Sequence, residues 1–135
     1  MAADTGKNLI LVVEDEPDEL SYLKTLFEDH GYATASASDG RQALALINEI
    51  KPDLITLDMS MPEKSGVKLY RELKEDSRLA DIPVLVITGV TGFGGSSEDF
   101  EKFLSSRKSV APPDGFIAKP INRDQLLESV AKLLA

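Results

Sequence analysis

The chain has 135 residues, 42% of them hydrophobic and 28% charged, which suits one domain with its own core and argues against a disordered chain. Its net charge of -8 argues against a nucleic-acid face, which needs clustered basic residues, and against docking on anionic membranes. There is no cysteine and one histidine, His30, so disulfides, thiolate metal sites, Ser-His catalysis and multi-histidine zinc sites are all excluded.

Met1 to Asn8 lacks the charged and apolar regions of a signal peptide, and no apolar run is long enough to span a bilayer, so the expected location is the cytoplasm. Leu9–Val13 is continuous and branched and reads as a buried strand. Leu20, Leu23 and Phe27 then recur at spacings of three and four, on one face of a helix. Pro17 suits the first turn of that helix and Gly31 its left-handed stop. Ala33–Ala37 is a weaker strand whose small residues fit an edge. Asp39-Gly40 opens a helix carrying Ala43, Ile47 and Ile50, which Pro52 closes.

Leu54–Leu57 is the third strand. After Pro62 and Gly66, Val67, Tyr70 and Leu73-Lys74 continue as a helix. Pro83 precedes a fourth strand, Val84–Thr88, and Phe116–Ala118 is the fifth. Asn122 can cap the last helix, with Gln125 three positions on and Leu126, Val130 and Leu133 as its apolar face. The segment Gly89 to Asp114 breaks this rhythm: it is long and glycine-rich, with a helix expected near Glu98–Arg107 and a turn at Ala111–Gly115. It reads as a specialised lid or docking loop, or as a tolerated insertion. Gly92-Phe93-Gly94-Gly95-Ser96-Ser97 lacks the third glycine of a dinucleotide loop and the Gly-Lys-Ser/Thr of a P-loop, so nucleotide binding is not expected.

Five alternations of strand and helix imply a parallel sheet covered on both faces. Ligands of such sheets sit beyond the carboxyl ends of the strands. Asp15, Asp58, Thr88 and Lys119 all stand at such ends. Two acidic stops and one amine converging there make a pocket able to bind Mg2+ and to offer a carboxylate oxygen to a phosphoryl group. Taken singly, each residue has a plainer reading: Asp58 as a turn cap, Glu14 to Glu19 as a solvated acidic loop, Lys119 as a surface lysine, Thr88 as a strand end.

Taken together and in order, Leu11-Val12-Val13-Glu14-Asp15-Glu16-Pro17, Asp39-Gly40 with Ala43-Leu44, Leu57-Asp58-Met59-Ser60-Met61-Pro62 with Gly66, Pro83 to Thr88 and Phe116-Ile117-Ala118-Lys119-Pro120 resemble the receiver domain of two-component response regulators. The resemblance runs from about Asn8 to Leu134. It implies a flavodoxin-like, doubly wound, three-layer α/β/α fold with a five-stranded parallel sheet in the order 2-1-3-4-5, as a single domain over residues 1–135 with the extended segment 89–114.

The resemblance also implies the site. Asp58 is the phosphoacceptor. Mg2+ is held by Asp15, by Asp58 and by the backbone carbonyl of Ser60, with Glu14 acting through water. Lys119 pairs with Asp58 at rest and with phosphate afterwards, across a Lys119–Pro120 bond that is often cis in the family. Thr88 donates its hydroxyl to the phosphate, Gly89 leaves room for it, and Phe116 is the aromatic switch position, whose plainer reading is core packing. Ser60 and Val90 flank the attack path, and neither is a strong water-positioning group, so slow hydrolysis is expected.

The expected function is phosphorelay signalling, with a histidine kinase or phosphotransfer protein upstream, an unidentified protein target downstream, and phosphorylation-dependent dimerisation as an option. No turnover enzyme, direct nucleic-acid contact or membrane contact is expected. A pseudo-receiver that never takes phosphate is the alternative. An aspartyl-nucleophile phosphatase is a weaker one, because the acid such enzymes carry two positions after the nucleophile is here Ser60.

Overall fold

A computed structural model describes residues 7–58, 65–88 and 114–135, with the backbone alone for 65–68 and 88. The elements in chain order are β1 (Leu9–Val13), α1 (Pro17–Asp29), β2 (Ala33–Ala37), α2 (Gly40–Ile50), β3 (Leu54–Asp58), α3 (Ser65–Glu75), β4 (Val84–Thr88), β5 (Gly115–Ala118) and, last among the described residues, α4 (Arg123–Leu134). The helix expected near Glu98–Arg107, and the segment after Thr88 as far as residue 113, lie outside the described residues.

The strands form one parallel sheet in the order β2-β1-β3-β4-β5. Register runs Val13↔Ala37, Val13↔Leu57, Asp58↔Ile87 and Thr88↔Ala118, so the carboxyl ends of all five strands align along one edge. β1 is flanked by β2 on one side and β3 on the other. The chain reverses its winding there, which opens a crevice beyond the ends of β1 and β3.

Side chains alternate across a strand, and in this sheet both faces are apolar. Leu11, Val13, Ile55, Leu57, Val84 and Val86 face a layer built from Ala43, Ile47, Leu69, Tyr70 and Leu73 of α2 and α3. Ile10, Val12, Leu54, Leu85, Ile87 and Ile117 face Leu23, Leu26, Phe27, Leu126 and Val130 of α1 and α4. Each large side chain fully buried here contributes roughly 1.5–3 kcal/mol. This double burial is why β1 and β3 read as continuous apolar runs. β2 carries only small or polar residues because it is the edge strand.

Local signals set the helix ends. Pro17 opens α1 behind Glu16, whose carboxylate accepts from the Glu19 N–H at 2.9 Å. Asp39 caps α2 through the Gln42 N–H at 2.8 Å, and Asn122 caps α4 through the Gln125 N–H at 2.9 Å. Gly31 follows α1 at φ 91°, the left-handed conformation expected of it. After α2 the left-handed position is taken by Lys51 at φ 49°, a non-glycine cap with no sequence signal.

Candidate functional site

β1 continues one residue beyond its last strand position, because the Glu14 N–H donates to the Ala37 carbonyl at 3.0 Å. This buries Glu14 to 1% exposure. Asp15 follows on the exposed side. Across the crevice, Asp58 ends β3 at 2% exposure. Glu14, Asp15 and Asp58 each offer a carboxylate oxygen within 4.8 Å of the others, enough to hold one metal ion.

Lys119 enters from the end of β5, across a Lys119–Pro120 bond that is cis, as the family resemblance implies. Its Nζ lies 3.4 Å from Asp58 Oδ2, 3.9 Å from Glu14 Oε1 and 3.1 Å from Glu19 Oε1. One ammonium thus serves several carboxylates.

The shortage of positive charge has visible effects. Glu14 Oε2 accepts from the Glu16 N–H at 3.1 Å, but the buried Oε1 has no hydrogen-bond partner among the described residues. Burial, and then the Asp58 carboxylate beside it, push the Glu14 carboxyl up to about 8. Burial pulls the Lys119 ammonium down, but the charge of Asp58, the contact with Glu19 and the charge of Glu14 outweigh it, and the net shift is upward. A hard divalent cation with oxygen ligands meets this chemistry: the donors are all oxygen, and one has no hydrogen-bond partner among the described residues.

The other expected residues are placed unevenly. Thr88 ends β4 beside Ala118. Phe116 is half-buried and packs on the cluster under α2 and α3. Ser60, Gly89 and Val90 lie outside the described residues. Glu19, to which the sequence assigns no role beyond the plainer reading of a solvated acidic run, is the shortest carboxylate contact of Lys119. Its place in the first turn of α1, behind a capping Glu16, was the one available signal. Beside this contact lies a cleft of about 430 Å³ lined by Asp18, Glu19, Tyr22, Lys119, Pro120 and Ile121. Tyr22, at 45%, is the exposed large apolar side chain among the described residues.

The model of the response regulator receiver domain matches residues 10–131. The chain belongs to that family. It is therefore a receiver domain of two-component signalling, a class that interacts with histidine kinases and downstream targets. The protein PilH of Pseudomonas aeruginosa is 29% identical over 126 residues, spanning 93% of this chain and 97% of PilH. The polar-differentiation response regulator DivK of Brucella anthropi is 31% identical over 125 residues, spanning 93% of this chain and 94% of DivK.

Among solved structures, the signal receiver domain of a histidine kinase from Syntrophus aciditrophicus superposes with a TM-score of 0.79 at 35% identity, covering 94% of this chain and 89% of that one. The chemotaxis response regulator CheY4 of Vibrio cholerae, at 23% identity and a TM-score of 0.79 over 95% of this chain and 99% of its own, matches in fold. No helix among the described residues is long and apolar enough to cross a membrane.

Proposed function

We propose that this receiver domain accepts a phosphoryl group on Asp58 in the presence of Mg2+ and thereby switches a partner-binding surface. The observation that carries the reading is Asp58 itself. It is a carboxylate 2% exposed at the end of a central strand, 3.4 Å from an ammonium and within one metal-sized cluster of Glu14 and Asp15.

The metal would be held by Asp15, Asp58 and the Ser60 carbonyl, with Glu14 acting through water. When bound, Mg2+ supplies positive charge to clustered carboxylates and incoming phosphoryl oxygens. Asp58 Oδ forms the new O–P bond as the donor's P–N or P–O bond breaks, and the electron pair leaves with the donor atom. Lys119 holds an oxygen of the transferred group. Thr88 hydrogen-bonds a second oxygen, Gly89 leaves space, and Phe116 turns inward as Thr88 moves.

The donor is a histidine kinase or phosphotransfer protein of the cytoplasm, and the target is another protein. The protein is not a turnover enzyme. Ser60 and Val90 occupy the sequence positions that the family resemblance assigns to the attack path, and neither is a strong water-positioning group, so the acyl phosphate is lost slowly.

Intact mass after incubation with a small phosphodonor tests this. One phosphoryl group should be gained, and the gain should disappear in Asp58→Ala and on chelation of Mg2+. A folded wild type that gains nothing would be a pseudo-receiver, and loss of the group within seconds would overturn slow hydrolysis.

A further inference from the structure

We propose that Glu19 is a positioning residue for Lys119, holding its ammonium at the mouth of the site in competition with Asp58 and the phosphoryl group that Asp58 receives. The inference rests on Asp58 being the phosphoacceptor and adds a residue that sets how readily it is modified.

Lys119 Nζ is 3.1 Å from Glu19 Oε1, against 3.4 Å from Asp58 Oδ2 and 3.9 Å from Glu14 Oε1. Its shortest contact is therefore to helix α1, and not to a strand-end carboxylate. Glu19 is held in place. Its N–H donates to Glu16 Oε1 at 2.9 Å, so it stands on the first turn of a capped helix. The side chains of Lys119 and Glu19 are 23% and 22% exposed. A pair so far withdrawn from water is screened less than a surface pair.

A lysine ammonium is a compact charge with three donors on one flexible stem. Turned toward Glu19, it presents less of that charge to the end of β3. A phosphoryl group adds about 1.5 to 2 negative charges at pH 7. Lys119 must then follow the phosphoryl oxygens, and the Glu19 contact stretches or breaks. That loss opposes the modified state and the charge-rich transition state leading to it. Glu19 also lines the cleft beside Lys119, as does Asp18. Asp18 is the control for simple charge, since it lines the same cleft on the same turn of α1.

The test is the rate of Asp58 modification by a small phosphodonor with Mg2+, read by intact mass, together with beryllofluoride affinity read by chemical shift. Both are measured in wild type, Glu19→Gln, Asp18→Asn, Lys119→Ala and the Glu19→Gln/Lys119→Ala double variant. Glu19→Gln should speed modification and tighten beryllofluoride binding about two- to five-fold. Asp18→Asn should do clearly less, and the Glu19→Gln effect should vanish in the Lys119→Ala background, a coupling that a merely structural role would not produce. An unchanged or slower Glu19→Gln protein, an equal gain from Asp18→Asn, or a gain that survives without Lys119 would overturn the inference. If wild type takes no phosphoryl group and no beryllofluoride, the reading of Asp58 fails and this inference fails with it.

Discussion

The two ends of the sheet treat charge in opposite ways. At the amino end, charged groups are matched to backbone partners. Lys74 Nζ donates to the carbonyls of Ala80 and Ile82 at 3.0 and 3.3 Å and lies 3.8 Å from Asp114 Oδ2. Asp114 Oδ2 in turn accepts from the Val84 N–H at 2.8 Å, and Asp53 Oδ2 accepts from the Leu9 N–H at 2.7 Å. These contacts tie the start of β1 to the residue before β3, the start of β4 to the residue before β5, and the end of α3 to both the loop before β4 and Asp114. At the carboxyl end, carboxylates gather around Lys119, one buried oxygen has no hydrogen-bond partner among the described residues, and the Glu14 carboxyl is driven up to about 8. A fold can leave such conflict in place where a ligand will relieve it, and must satisfy its polar groups elsewhere.

The sharpest way to break this contrast is Lys74→Ala. It leaves two carbonyls and the Asp114 carboxylate without their cation at a side chain only 10% exposed. The expected loss is about 2–4 kcal/mol in urea unfolding, with Asp58 modification unchanged under folding conditions. A loss below about 0.5 kcal/mol would mean that the amino end owes little to its pairing.

A pH series separates the ends by sign. Burial and the Asp58 carboxylate push the folded Glu14 carboxyl up to about 8, above the ordinary carboxylate range that holds in the unfolded chain. Its protonated form therefore favours the folded state. That stability is fully present below the unfolded value and is lost as pH rises through the folded one. In chelator, the wild type should lose stability relative to Glu14→Gln as pH rises from about 5 to about 8.5. Added Mg2+ should restore most at the alkaline end, because it binds the ionised carboxylates. Parallel curves for the two proteins would refute the electrostatic conflict at Glu14.

The smallest expected effect lies just beneath the site. Thr56 is 1% exposed, and its hydroxyl has no hydrogen-bond partner among the described residues. Valine has nearly the same shape without that group. Thr56→Val should raise stability by about 1 kcal/mol in the same urea assay, and a loss instead would show that the hydroxyl is satisfied.

Much of this was legible in residue order. The runs Leu9–Val13 and Leu54–Leu57 marked strands buried on both faces, and both are central. The small residues of Ala33–Ala37 marked an edge, and β2 is at one. The caps at Asp39 and Asn122 and the stop at Gly31 act within a few residues, so sequence alone suffices for them. Of the site, Glu14, Asp15, Asp58 and Lys119 were picked out because each ends a strand, and parallel strands align their ends.

What sequence by itself determined, then, is the set of elements, their layering and which residues meet at one edge, since periodicity and strand-end position are local properties. Only the tertiary structure decided how the charges are shared there. That Lys119 lies nearest Glu19, that Glu14 is buried while Asp15 is exposed, and that Lys74 clamps the opposite end are matters of ångströms between residues far apart in the chain. Charge interactions fall steeply with distance and solvent exposure, and neither quantity can be read from residue order.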